Sequence, residues 1–252
     1  PDDLESHLIA VLVPAFRLRA MNDMENLAAG FLDSRVVVGK SYSRHRTPIF
    51  KGTLSYLDFR PYWNIPQSIV RGEIAKHLDE PGYMDEHDYE IVSQFTNDPG
   101  SLPATPENLE KVKRGQLLLR QRPGPKNALG EVKFIFPNEY NVYLHSTPAK
   151  GLFARARRDF SHGCIRVAKP VELAEWVLSD QPEWNRGSIE GAMNQGSPTR
   201  VMVSQQIPVY ILYSTAVVDS STGSLNFYED IYGLDADLAR ALGYELAELT
   251  RN

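Results

Sequence analysis

Strand-like segments near both ends of the chain constrain its fold more than any other feature. Leu8–Val13 is a continuous apolar run, and Phe16–Met21 alternates apolar with charged residues, as a half-buried strand does. Strand patterns return at Val132–Phe136 and Asn141–His145. With 252 residues, of which 42% are hydrophobic, the chain is long enough to bury a large core. We therefore expect a mainly β (α+β) fold with a few helices.

A stretch of different character, residues 71–125, interrupts these strands. It combines many acidic residues with a Pro/Ser/Thr-rich segment and a short basic helix at Pro106–Arg114. We predict that residues 1–70 and 126–252 form one domain. The stretch between them is then an inserted, partly helical subdomain that packs against or over the main sheet.

Charge and hydropathy exclude two classes of partner. The chain has 27 basic and 32 acidic residues, so nothing in its balance favours a phosphate backbone, and nucleic acid is not expected to bind. The longest apolar run, Leu8–Val13, is far shorter than the ~20 residues of a membrane span. The start at Pro1-Asp2-Asp3, without Met, suggests a processed fragment, and we expect any export signal or anchor to lie outside it.

The single cysteine, Cys164, lies in the segment with the most chemical information. One thiol forms neither an internal disulfide nor, alone, a structural zinc site. His162 and Arg166 flank it, and imidazole and positive charge lower a thiol pKa from about 8.5. If this segment is a strand, the three side chains share one face. Gly163 between them allows close backbone approach, and the amides there could hold an oxyanion, so we expect a reactive thiol.

A second histidine, His145, ends a predicted strand and precedes Ser146. A general base needs a partner for its other ring nitrogen, and a neighbouring carbonyl or hydroxyl can provide one. Tyr143 lies on the same strand face by the period of two. From the residues alone, either His145 or His162 could take the thiol proton. The two histidines and Cys164 could instead form a zinc site, which would leave no free nucleophile.

These residues resemble a known family. His145, then fifteen residues, then Ser161-His162-Gly163-Cys164 is similar to the signature of the L,D-transpeptidase (YkuD-type) catalytic domain. Val38-Gly39 followed by Thr47-Pro48 resembles the family's Gly and Thr-Pro turn. The insertion resembles the capping subdomain of the larger Gram-negative (YcbB-like) subgroup. Many members carry Asn two residues after the cysteine, where this chain has Arg166.

The resemblance implies a β-sandwich catalytic domain and a role for each signature residue. Cys164 would be the nucleophile, His145 the base, and Ser146 its orienter through the backbone carbonyl. The other implied site residues are His162 and Gly163 in the catalytic apparatus, and Tyr143, Ser161 and Arg166 in substrate binding. The resemblance implies no metal and no cofactor.

The function implied by the resemblance is acyl transfer on peptidoglycan. A tetrapeptide stem would acylate the thiol, and the amine of a second stem would resolve the thioester to give a 3→3 cross-link. Carbapenem-type β-lactams would acylate the same site. The residues leave two alternatives open, an L,D-carboxypeptidase that uses water and a non-catalytic peptidoglycan-binding module. The substrate class implies the periplasm or cell envelope of a Gram-negative bacterium.

Overall fold

A nine-stranded mixed sheet forms the main part of the fold in a computed structural model, which describes residues 7–22, 31–42, 45–96, 100–219 and 222–244. In chain order, the strands are β1 (Leu8–Leu12), β2 (Arg17–Met21), β3 (Phe31–Gly39), β4 (Phe50–Phe59), β5 (Trp63–Asn64), β6 (Tyr89–Val92), β7 (Leu118–Gln121), β8 (Val132–Ile135), β9 (Leu144–His145), β10 (Asp159–Ser161), β11 (Ile165–Val167), β12 (Thr199–Leu212), β13 (Ala216–Val218) and β14 (Leu225–Phe227). The order in the main sheet is β10-β3-β11-β9-β8-β4-β12-β1-β2, and β2 also pairs with β3. This last pairing closes the sheet around a common core.

The core of the main sheet follows from side-chain alternation. Leu57, Phe134, Leu144 and Ile165 are directly opposed on β4, β8, β9 and β11, and all four are fully buried. Successive side chains of a strand point to opposite faces, so the next residue of each strand lies on the outer face. The expected mainly β architecture is confirmed.

Helices pack beside the main sheet and within the insertion. They are α1 (Gln67–Ile69), α2 (Tyr83–Glu86), α3 (Pro106–Arg114), α4 (Pro170–Val177), α5 (Arg186–Asn194) and α6 (Asp235–Ala241), with a π-helical turn at Val70–Ile74 and a 3-10 turn at Lys150–Ala154. The predicted helix at Pro106–Arg114 is confirmed, with Thr105 accepting a hydrogen bond from the Asn108 amide at its start. No helix in the described ranges is both long and apolar enough to cross a membrane.

The insertion contains a second sheet and a second core. Strands β5, β7 and β6 form a three-stranded sheet, and its apolar side chains pack with Val70, Leu78 and Val112. Trp63–Asn64 pairs with β7, although it precedes residue 71 in the chain. The division of the chain at residues 71 and 125 stays a prediction.

Two strand predictions differ from the structure in length. The late segments Val201–Val203 and Val209–Tyr213 belong to one long strand, β12, whose register with β4 shifts between Met202 and Ile207. In contrast, β9 is only two residues long. Asn138 hydrogen-bonds the backbone of residues 136, 140 and 142, and Asn141 adopts a φ of 53°, so a turn replaces the predicted strand start.

Candidate active site

One outer face of the main sheet carries a row of polar side chains. Asp58, Lys133, His145 and Arg166 occupy directly opposed positions on β4, β8, β9 and β11. Neighbouring strands lie about 4.8 Å apart, so His145 has one cation on each side at that spacing. The same register that buries the core therefore collects a histidine, a lysine and an arginine on its other face.

Cys164 immediately precedes β11, two residues before Arg166 of this row. The Ile165 amide donates to the Tyr143 carbonyl at 3.0 Å, which places Cys164 beside Tyr143. The Cys164 thiol donates to the Asn141 carbonyl at 3.7 Å, and the Tyr143 ring meets the His145 ring edge-on with 5.8 Å between centroids. Arg166 lies directly opposite His145 on the neighbouring strand, and Cys164 is two residues before Arg166. The Cα atoms of His145 and Cys164 are therefore about 8 Å apart. The structure thus brings Tyr143, His145, Cys164 and Arg166 together.

His145 is a neutral, oriented imidazole. It is 4% exposed, and its Nδ1 lies 2.5 Å from the Ser146 carbonyl oxygen. Burial lowers the pKa of His145 to about 3, and the positive charge of Arg166 acts in the same direction. Because a carbonyl only accepts hydrogen bonds, Nδ1 carries the proton and Nε2 keeps its lone pair. The ring is therefore ready to accept a proton at Nε2 at neutral pH.

A small network fixes the Ser146 carbonyl that orients this ring. The Ser146 hydroxyl donates to the Glu131 carboxylate, and Lys150 Nζ donates to the same hydroxyl at 3.1 Å. Gly130 adopts a φ of +64°, and a Cβ there would lie 2.6 Å from the Thr147 amide nitrogen. Sequence reasoning missed Gly130, Glu131 and Lys150, which contact Ser146 or the neighbouring Thr147 and lie outside the signature.

The segment around Cys164 is not a continuous strand, so the condition under which His162, Cys164 and Arg166 would share one face is not met. Strand β10 ends at Ser161 and β11 begins at Ile165, because Gly163 adopts a φ of +115°. The Ser161 hydroxyl closes the turn, donating to the Cys164 carbonyl at 2.5 Å and accepting from the Gly163 amide at 3.1 Å. The period of two consequently does not relate His162 to Cys164.

His162 contacts the insertion. Its Nε2 lies 2.7 Å from Glu73 Oε1, and its ring meets the His45 ring edge-on with 4.5 Å between centroids. Burial alone would raise the pKa of Glu73, but the hydrogen bond and charge of His162, together with Lys40, bring that pKa below its usual value. The signature turn and the insertion are therefore joined by a polar contact that the sequence did not indicate.

A buried network holds the turn from the other side. The Thr47 hydroxyl donates to the Gly163 carbonyl at 2.8 Å and accepts from the Gly39 amide at 2.9 Å. The Tyr232 hydroxyl bridges the Thr47 amide and the Gly39 carbonyl, at 3.1 and 2.7 Å. The Gly163–Cys164 peptide is trans, so its N–H points away from the carbonyl that Thr47 holds. This network fixes the direction of the Cys164 amide.

The Cys164 thiol differs from the expectation of a lowered pKa. The residue is half-buried, and burial raises the pKa of its thiol above the usual range. Hydrogen bonds from Tyr143 and the charges of Lys133 and Arg166 oppose this effect without reversing it. At rest the site therefore holds a neutral thiol and a neutral imidazole, whose hydrogen bonds go to the Asn141 and Ser146 carbonyls, respectively.

The described residues around the thiol form no metal-binding cluster. Within the described ranges, no three His, Cys, Asp or Glu side chains are placed to hold a metal ion. A cavity of about 410 Å³ lies in the insertion and is lined by Trp63, Glu73 and Tyr83, among others. A second, of about 460 Å³, lies beside Arg17 and Arg35.

Comparison with known proteins gives this arrangement a context. Residues 6–211 match the family model of the L,D-transpeptidase (YkuD) catalytic domain. The chain belongs to the L,D-transpeptidase catalytic-domain family. The match includes both His145 and Cys164 and ends within β12.

Two further similarities accompany the family match. The chain is 31% identical over 233 residues to a candidate L,D-transpeptidase of Haemophilus influenzae, covering 91% of this chain and 45% of that protein. It therefore spans about half the length of this L,D-transpeptidase relative. An L,D-transpeptidase structure from Mycobacterium smegmatis aligns at 15% identity with a TM-score of 0.34, covering 82% of this chain and 58% of that one.

Proposed function

We propose that this domain is a cysteine-dependent L,D-transpeptidase that forms 3→3 cross-links between peptidoglycan stems. Family membership supports an L,D-transpeptidase acting on peptidoglycan. The observation that carries the choice of residues is the cluster of Tyr143, His145 and Cys164. The donor is a tetrapeptide stem, and the attacked group is the carbonyl of its third, L-configured residue.

In the first step, the Cys164 sulfur attacks this carbonyl while His145 Nε2 takes the thiol proton. Because both groups are neutral at rest, proton transfer accompanies attack. The bond to the terminal D-Ala then breaks, and the imidazolium donates its proton to the departing amine. Ser146 assists through its carbonyl, which accepts from Nδ1 throughout and stabilises the transient charge.

The negative charge on the carbonyl oxygen requires hydrogen-bond donors that are already in place. The Cys164 amide is suited to this task, because Thr47 and Ser161 fix the turn at Gly163. The Tyr143 hydroxyl is a second candidate donor. Burial, and then the neighbouring thiol, raises the pKa of Tyr143, so the hydroxyl keeps its proton.

In the second step, the side-chain amine of another stem attacks the thioester. An amide bond forms, the bond to sulfur breaks, and His145 transfers the amine proton to the departing thiolate. Water competes with the amine for the same intermediate. We propose that the insertion acts as a lid that limits this competition, anchored to the signature turn by the contact between Glu73 and His162.

Incubation with a purified disaccharide-tetrapeptide tests this function. We expect released D-Ala and a 3→3 linked dimer, separated by liquid chromatography and identified by mass spectrometry. Free disaccharide-tripeptide without dimer would indicate the alternative L,D-carboxypeptidase. Binding without any release of D-Ala would indicate a peptidoglycan-binding module. The Cys164→Ala variant should give no product, and product formed by that variant would contradict the assignment of the nucleophile.

Two further proposals follow from the same site. Carbapenem-type β-lactams should acylate Cys164, because opening their ring needs the same attack on a carbonyl. Intact-mass spectrometry should show one adduct on the native chain and none on Cys164→Ala. We also place the protein in the periplasm or cell envelope of a Gram-negative bacterium, where its substrate lies, and fractionation with an antibody against the domain tests that location.

A further inference from the structure

Lys133, a residue outside the family signature, lies next to the reacting groups. It occupies the position on β8 directly opposite His145 on β9, and it is half-buried. Its Nζ is 4.2 Å from the centroid of the Tyr143 ring, which also meets the His145 ring edge-on. Cation–π contact offsets part of the loss of hydration. An ammonium partly removed from water still favours a negative partner.

No acidic side chain in the described part of the chain forms an ion pair with Lys133. The acidic residue opposite it, Asp58, is held by Arg200, whose Nε and Nη2 lie 2.7 and 3.0 Å from its two carboxylate oxygens. Burial lowers the pKa of Lys133, and the charges of Asp58 and Cys164 act in the opposite direction. The cation therefore remains available for an anion that approaches from the outer face.

Arg166 provides a second unsatisfied donor on the other side of His145. It lies opposite His145 on β11, and its Nε is buried without a hydrogen-bond partner within the described ranges. Lys133 and Arg166 are thus separated by two strand spacings, or about 10 Å between Cα atoms. Both side chains are long enough to meet one ligand between them.

We infer that Lys133, together with Arg166, binds the free carboxylate of the residue that leaves when Cys164 attacks. This inference rests on the proposed function and adds the donor feature that the site selects. In a tetrapeptide stem, the carboxylate carbon of D-Ala is two bonds from the scissile nitrogen, so it stays close to the attacked carbonyl. Arg presents a planar pair of donors and Lys a point charge, and both suit a carboxylate. A stem that continues beyond D-Ala lacks this carboxylate and binds more weakly.

A simpler role for Lys133 would be stabilisation of the Cys164 thiolate. Two alkylating reagents separate the roles, because iodoacetate and iodoacetamide displace iodide from the same sulfur and differ in charge. A change in thiolate population alters both rates equally. A carboxylate site accelerates iodoacetate alone, so the ratio of the two rates reports it.

The experiment compares this ratio in the native domain, Lys133→Met, Lys133→Arg and the matched control Lys51→Met. Lys51 lies on the outer part of β4, paired with Tyr210 and remote from Cys164. We expect Lys133→Met to lower the ratio of iodoacetate to iodoacetamide rates by about fivefold or more, as loss of a charge-assisted contact should. Lys133→Arg should keep it near the native value, and Lys51→Met should leave it unchanged. An unchanged ratio in a folded Lys133→Met variant would overturn the inference.

A measurement on the native domain covers the case in which Lys133→Met does not fold. N-acetyl-D-alanine should slow alkylation of Cys164 by iodoacetamide, and N-acetyl-D-alaninamide should not. Equal protection by both would overturn the carboxylate site. Neither test uses peptidoglycan, so failure of the carboxylate site and failure of transpeptidation give different results. If cross-linked dimers form but Lys133→Met and the native domain show the same ratio of iodoacetate to iodoacetamide rates, the carboxylate site is refuted and the proposed transpeptidation stands.

Discussion

Replacing Thr47 with Val tests how the fold prepares the candidate oxyanion donor. Val matches the shape of Thr and lacks the hydroxyl that joins the Gly39 amide to the Gly163 carbonyl. Both glycines are buried, and each polar group left without a partner costs about 1–3 kcal/mol. The variant should therefore be less stable by roughly 2–6 kcal/mol, which lowers the melting temperature by several degrees or more.

Catalysis should suffer in a specific way. Without the hydrogen bonds of the Thr47 hydroxyl, the Cys164 amide is no longer held at the position where it can donate to the oxyanion. Complete removal of an oxyanion donor slows a reaction by about 10²–10³. Since the amide stays present in Thr47→Val, we expect acylation by p-nitrophenyl acetate to slow by roughly 10–100-fold. Alkylation by iodoacetamide forms no oxyanion and should change little. The assay is the ratio of these two rates.

Matched variants separate this effect on catalysis from a general loss of stability. Thr47→Ser keeps the hydroxyl and should restore the native ratio, and Thr53→Val makes the same change at an exposed position of β4. An unaltered ratio of acylation to alkylation in Thr47→Val, alongside reduced stability, would show that Thr47 supports the fold without positioning the amide.

Three further predictions concern titration and the insertion. Below about pH 6.5 the unfolded chain protonates His145 while the folded chain resists until a pKa of about 3, so acid favours unfolding. In the native domain, the free energy of unfolding should fall by up to about 1.4 kcal/mol for each pH unit in this window. His145→Gln should abolish this fall, and denaturant titration of both proteins measures the difference. Because burial raises the pKa of Cys164, iodoacetamide alkylation should rise through a pKa above the ~8.5 of a free thiol, and a plateau already at pH 7 would contradict this. Glu73→Gln should weaken the contact with His162 and raise the yield of free tripeptide relative to dimer, whereas Glu80→Gln, which alters a contact with His77 within the insertion, should not.

The sequence predicted the parts of the fold that depend on local patterns. Alternation of apolar and polar residues indicated the strands, and a short basic stretch that begins with a proline indicated the helix at Pro106–Arg114. Predictions failed where a few residues override the pattern. Asn141 and Gly163 take positive φ values and break strands that periodicity would continue.

The candidate site was predicted less completely. Spacing within the signature indicated His145 and Cys164, because those residue types carry recognisable chemistry. Lys133 and Thr47 have no such signal, since strand register and long-range hydrogen bonds bring them to the site. The direction of the Cys164 pKa shift was also missed, because burial depends on the packing around the sulfur.

The most direct test is to trap the covalent intermediate. The domain is mixed with a tetrapeptide donor whose side-chain amine is blocked, quenched in acid within seconds and measured as intact protein. The mass should increase by that of the donor without D-Ala, peptide mapping should place the acyl group on Cys164, and hydroxylamine should remove it. Released D-Ala without any acylated sulfur, or an acyl group on another residue, would contradict the proposal that this thiol carries the reaction.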